Sequence, residues 1–134
     1  TILPVDVDDK KYIRTAWRGI CLTNENGGRI TPLSGDSAGF DFSPYEGKAD
    51  FVFVDGAHSY EYVLHDSRAA LRLLKGQGGM IVWHDYNCIY WDGVTKALDE
   101  LYATDSSFRD LKYIEGTNMA FLLTEGPCPA GSVR

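Results

Sequence analysis

Two runs of β-forming apolar residues constrain this chain more than any other feature. Residues 49–54 (ADFVFV) end on Asp55-Gly56, and residues 80–83 (MIVW) end on His84-Asp85. Runs this apolar are expected of strands buried on both faces, which is the pattern of parallel sheets. Between them Tyr60, Val63, Leu64, Leu71 and Leu74 follow helical spacing, with Asp66, Arg68 and Arg72 at polar positions. The spacing predicts a helix that is ended by Gly76, Gly78 and Gly79. Strand, helix and strand in this order form a parallel crossover unit.

The flanks continue the alternation. Residues 1–7 (TILPVDV) read as a short strand. Asp8 and Asp9 follow as caps for a helix with the stripe Tyr12, Ile13, Trp17 and Ile20. Residues 23–28 (TNENGG) read as a loop, residues 30–33 as a brief strand, and Ser34 to Ser37 as a polar corner. After Asp85 comes an aromatic loop, Tyr86 to Trp91. A helix marked by Val94, Ala97, Leu98 and Leu101 is next. Residues 111–114 and 119–123 then read as a hairpin. The expectation is an α/β fold with a mostly parallel sheet and an antiparallel C-terminal hairpin. It occupies residues 1–125 as one domain, with residues 126–134 as a flexible tail.

Composition narrows the partners. Of 134 residues, 13 are Lys or Arg and 19 are Asp or Glu, a formal net charge of −6. Nucleic-acid backbones and anionic membranes call for positive surface, so neither is the expected partner. No run approaches a membrane span. Cys21, Cys88 and Cys128 are far apart and odd in number, which suits reduced thiols in a cytoplasmic protein.

In parallel sheets ligands bind beyond the carboxyl ends of the strands. The residues standing there are Asp6, Asp36, Asp55 with His58, and His84 with Asp85. A single strand-end aspartate often only caps the next helix. Several on one rim repel unless a ligand, cation or solvent offsets them. Asp6 suits a ribose, because a carboxylate accepts from both hydroxyls. Asp36 and Ser37 suit the edge of a base. Asp55 and Asp85 end strands expected to be neighbours, so they could share a divalent cation. His58 is placed to act as a base. His84 is read as a hydrogen-bonded structural residue turned the opposite way, His65 as a surface residue and Trp83 as core. Tyr86, Tyr90 and Trp91 could lid an organic substrate, though core packing or a partner interface would use them as well.

Asp55-Gly-Ala-His-Ser-Tyr60, a helix, Gly78-Gly-Met-Ile-Val-Trp-His-Asp-Tyr86 and then Gly93-Val94 opening a helix resemble the C-terminal half of a class I S-adenosylmethionine-dependent methyltransferase. The group most similar is the small-molecule O-methyltransferases with DGxHSY and GGxIVxHDY motifs. The resemblance spans residues 1–125 and is densest over residues 50–94. It implies a Rossmann-like fold and methyl transfer from S-adenosylmethionine to an oxygen of a small molecule. It implies Asp6, Asp36, Ser37 and Asp55 as cofactor contacts, and His58 and Asp85 as catalytic residues. Asp55 and Asp85 would be ligands of a Mg2+-type ion. Two departures stand beside it. Tyr86 occupies the place where metal-dependent relatives carry an asparagine, with Asn87 one position later. No GxGxG loop is present, so the resemblance implies a chain without the fold's first strand and helix, expected to rearrange, close the gap or borrow a strand from a second chain, to self-associate as a homo-oligomer, and to bind S-adenosylmethionine weakly or not at all. Two other readings remain open: a non-catalytic α/β module acting through self-association or a partner, and a metal-dependent hydrolase using Asp55, His58, His84 and Asp85.

Overall fold

In the computed structural model the described residues are 31 and 33–125. The readings on Asp6, on the first strand and its helix, and on the tail lie outside them. Contacts divide the chain into two units, Thr1–Phe40 and Asp41–Arg134. In the first, Asp36 builds a turn: its Oδ1 accepts the Ala38 N–H at 3.0 Å and its carbonyl accepts the Gly39 N–H at 3.1 Å. Thr31 and Leu33, the described part of the strand read over residues 30–33, are not in a strand.

The second unit opens with a 3-10 turn at Ser43–Tyr45. It continues through β1 (Phe51–Val54), α1 (Tyr60–Leu73), β2 (Gly78–Trp83) and α2 (Asp92–Thr104). A second 3-10 turn at Ser106–Phe108 leads to β3 (Lys112–Tyr113) and β4 (Ala120–Glu125). The sheet order among the described residues is β1-β2-β4-β3. β1 and β2 run parallel; β4 is antiparallel to β2 and to β3. The mixed α/β architecture and the antiparallel C-terminal hairpin are those read from the sequence. No helix among the described residues is long and apolar enough to cross a membrane.

Register decides which side chains form the core. Val52, Ile81 and Leu122 align across the sheet, as do Val54, Trp83 and Ala120. This face packs against Val63 and Ala70 of α1 and Val94, Ala97, Leu98 and Leu101 of α2. The helices present these residues because their spacing of three and four places them on one stripe. The other sheet face carries Phe51, 55 % exposed, and Leu123, 52 % exposed. β1 is therefore not buried on both faces as its composition suggested. The two described helices cover only the Val52 and Val54 side.

The glycines after α1 also depart from expectation. The helix ends at Leu73, and Leu74 turns extended to bridge Ala49. Gly78 and Gly79 belong to β2, not to the helix stop. A Cβ on Gly79 would lie 2.8 Å from the Asp50 carbonyl oxygen and from Leu74 Cδ2, so a side chain there would push β2 off its neighbours.

One buried polar pair ties α1 to the sheet. Trp83 Nε1 donates to Ser67 Oγ at 2.9 Å, with both residues almost fully buried. Ser67→Ala strands the indole N–H in the core and is expected to lower unfolding free energy by about 1–3 kcal/mol. In a Trp83→Phe background the same change should cost much less. Urea titration of the four proteins tests this, and equal costs in both backgrounds would refute the coupling.

Candidate active site at the ends of β1 and β2

β1 ends at Val54 and β2 at Trp83, which are register partners, so the residues that follow emerge side by side. Asp55, His58 and Asp85 each offer a ligand atom within 4.8 Å of the others. His58 Nε2 and Asp85 Oδ2 are 2.9 Å apart. An ionised carboxylate only accepts, so in the neutral tautomer that makes this bond the proton is on Nε2 and Nδ1 is the ring's acceptor. Asp85 is buried and Asp55 half-exposed.

His84 does not turn away, as simple alternation along the strand suggested. Its Nδ1 lies 2.9 Å from Asp85 Oδ2 and 3.7 Å from Asp55 Oδ1. The strand ends at Trp83, and Asp85 takes φ +62°, which breaks the alternation. His84 Nδ1 is buried and makes no hydrogen bond despite that proximity. His84 thus lies beside the two carboxylates of the cluster. A histidine next to a strand-end aspartate was the available signal, but its direction depended on backbone torsion.

The loop after β2 is held by hydrogen bonds of its backbone amides. Cys88 N–H donates to the Asp85 carbonyl, Tyr86 N–H to the Asn118 carbonyl and Asn87 N–H to Thr95 Oγ1. Of the three aromatics read as a lid, Trp91 reaches the cluster, stacking on the His58 ring at 4.5 Å and 19°. Tyr86 instead donates to Asp99 Oδ1 at 2.8 Å and tilts against Tyr113. Tyr90 is exposed. His65 stays apart, beside Asp66 on α1. Asp36 and Ser37 belong to the first unit and to its turn.

Gly93 is where α2 meets the His58 segment. A Cβ there would sit 2.4 Å from the His58 carbonyl oxygen and 2.8 Å from the Tyr60 nitrogen. This contact lets the helix start directly against the site. The donor set of two carboxylates and an imidazole fits a divalent cation.

Gly93→Ala should therefore reverse its usual sign. Alanine normally favours a helix over glycine by about 1 kcal/mol. Here it is expected to destabilise by about 1–3 kcal/mol through overpacking. Gly76→Ala, with nothing within 4 Å of the new atom, is the control. Thermal melts of both variants decide.

Tyr86 supplies a pH test of the same loop. Burial, then the hydrogen bond and charge of Asp99, push its phenol from 10.0 up to about 12. The folded state keeps the proton where the unfolded chain has released it. This contribution is full below pH 10 and lost as pH rises toward about 12. In alkaline unfolding, Tyr86→Phe should show a shallower loss of stability across that window. An unchanged slope would contradict the assignment.

Against this geometry stand the comparisons with known proteins. No curated protein matches the chain. A family profile described as a methyltransferase domain matches residues 1–86, which takes in β1, α1, β2 and the rim residues Asp55, His58, His84 and Asp85. The match covers more than half of the 134 residues, and the chain belongs to this methyltransferase-domain family, with a Rossmann-like α/β fold.

Proposed function

We propose that the chain carries out methyl transfer from S-adenosylmethionine to an oxygen of a small molecule, with the acceptor held at the rim of β1 and β2. The single observation that carries this reading is the His58–Asp85 pair, 2.9 Å apart beside Asp55 at the carboxyl ends of two adjacent parallel strands. The family supports the transferase class. The choice of oxygen rests on the presence of a base beside a carboxylate.

When bound, S-adenosylmethionine supplies an electrophilic methyl group. The chain's own residues deal with the acceptor's proton. Asp85 holds the proton on His58 Nε2, which leaves Nδ1 as the site that takes a proton from an acceptor hydroxyl. The carboxylate then stabilises the imidazolium that forms, as in other Asp–His pairs. Trp91, stacked on the ring, limits its rotation and its exposure to water. Positioning of this kind supplies much of the rate in a transfer that needs two reactants in line. Asp6 is assigned the ribose, Asp36 and Ser37 the base edge, and Asp55 the part of the cofactor nearest the rim.

A second form of the reading places a Mg2+-type ion on Asp55 and Asp85, favoured by the 4.8 Å spread of ligand atoms. Such an ion would orient the hydroxyl and lower its pKa.

Titration calorimetry with S-adenosylmethionine, followed by methyl-transfer assays on hydroxylated small molecules, tests the proposal. His58→Gln is expected to lower kcat by roughly 10²–10⁴-fold, the usual worth of a general base, with cofactor affinity retained. Absence of cofactor binding by the folded chain would refute the reading. An unchanged kcat would remove His58 from it.

A further inference from the structure

We propose that Thr95 of α2 is a positioning residue: its hydroxyl fixes the loop after β2 in the form that brings Asp85 and Trp91 to His58. The catalytic consequence rests on the methyl-transfer reading; the positioning itself does not.

The loop has an unusual backbone. Asp85 and Asn87 both take positive φ, +62° and +59°. Asp and Asn visit this region more readily than most residues, yet it remains unfavourable for them. Such torsions persist only where neighbouring contacts over-determine them.

Three amides in a row anchor this stretch. Tyr86 N–H donates to the Asn118 carbonyl at 3.1 Å, and Cys88 N–H to the Asp85 carbonyl at 3.2 Å. Asn87 N–H donates to Thr95 Oγ1 at 2.9 Å. The first two acceptors are backbone carbonyls, which any residue would supply. Of the three, only the Thr95 bond depends on which side chain is present.

Thr95 is well placed for this task. It stands between Val94 and Ala97, both in the core, so the helix that carries it is held by packing. Threonine is also stiff at χ1, which keeps the oxygen in place. The anchored amide is two residues from Asp85. It also opens the turn in which Trp91 N–H donates to the Cys88 carbonyl and Val94 N–H to the Trp91 carbonyl, each at 3.2 Å. One hydroxyl therefore stands between the two contacts of His58: the 2.9 Å bond to Asp85 and the 4.5 Å stack on Trp91. Without that acceptor, Asn87 is free to return to negative φ, and Asp85 and Trp91 lose their common anchor.

The test compares Thr95→Val, Thr95→Ser and Thr104→Val in the full chain. Valine keeps the branched shape and removes the acceptor, whereas serine keeps the acceptor. Thr104 lies on the same helix, but its hydroxyl donates to the Glu100 carbonyl within that helix, so its variant is the control. Imidazole proton and nitrogen spectra are recorded without S-adenosylmethionine. Thr95→Val is expected to lose the hydrogen-bonded Nε2–H signal of His58 and the ring-current shift from Trp91. Thr95→Ser and Thr104→Val should keep both. In methyl-transfer assays Thr95→Val should lower kcat by up to roughly 100-fold with the KM for S-adenosylmethionine unchanged, the scale expected of a small misplacement. Thr95→Ser should restore kcat. In the wild-type chain the Asn87 amide should exchange with solvent far more slowly than an unstructured amide, a readout that needs no variant. A freely exchanging Asn87 amide would overturn the proposal, and so would wild-type His58 signals in a folded Thr95→Val chain. These readouts use no cofactor, so they judge Thr95 even if the methyl-transfer reading fails its own test.

Discussion

β2 is hydrogen-bonded along both edges, to β1 in parallel and to β4 antiparallel, and its register fixes the rest of the described second unit. It aligns Val54, Trp83 and Ala120 in one row under the helices. Because a strand's side chains alternate, a slip of one residue would send Trp83 to the exposed face and Val82 into the core. The same register makes β1 and β2 finish level with each other. The strand-end residues then meet at one rim, so the site is a consequence of pairing before it is a matter of side-chain chemistry.

Much of this was legible in the chain. The runs at residues 49–54 and 80–83 announced adjacent strands, and the helical spacing from Tyr60 announced the crossover. Asp55, His58 and Asp85 could be picked out because polar residues following apolar strands fall at the ligand-binding end of a parallel sheet. What was not legible depended on partners and torsions. Phe51 and Phe53 look like core residues in sequence, and only the one-sided placement of the described helices leaves them exposed. Gly78 and Gly79 look like a helix stop, but the close approach of the Asp50 backbone puts them in a strand. His84 was misdirected for a related reason, since alternation holds only while the backbone stays extended.

The aromatic loop shows how composition can mislead in a productive way. Tyr86, Tyr90 and Trp91 read alike as lid candidates, yet each has a different fate. Tyr86 is tied to α2 through Asp99, Tyr90 faces solvent, and Trp91 covers His58. A stacked indole confines an imidazole to one plane without using either ring nitrogen. That leaves Nε2 for its contact with Asp85. Gly93 adds a second restraint from below by meeting the His58 carbonyl.

The backbone at Asp85 carries the argument furthest. Aspartate tolerates the left-handed region better than most residues, but φ +62° there still has a cost, and Asn87 adds a second such residue two positions on. Sparsely populated torsions cost of order 1–3 kcal/mol and persist only where surrounding contacts over-determine them. Those contacts are present: the Asp85 carbonyl accepts from Cys88, and the Tyr86 and Asn87 amides are both engaged. An extended backbone at Asp85 would carry on the alternation of β2. At φ +62° one oxygen of Asp85 stands 2.9 Å from both His58 Nε2 and His84 Nδ1. The unfavourable torsion therefore accompanies a geometric result, the convergence of two imidazoles on the Asp85 carboxylate. No core packing requires that convergence, because the core face of β2 ends at Trp83.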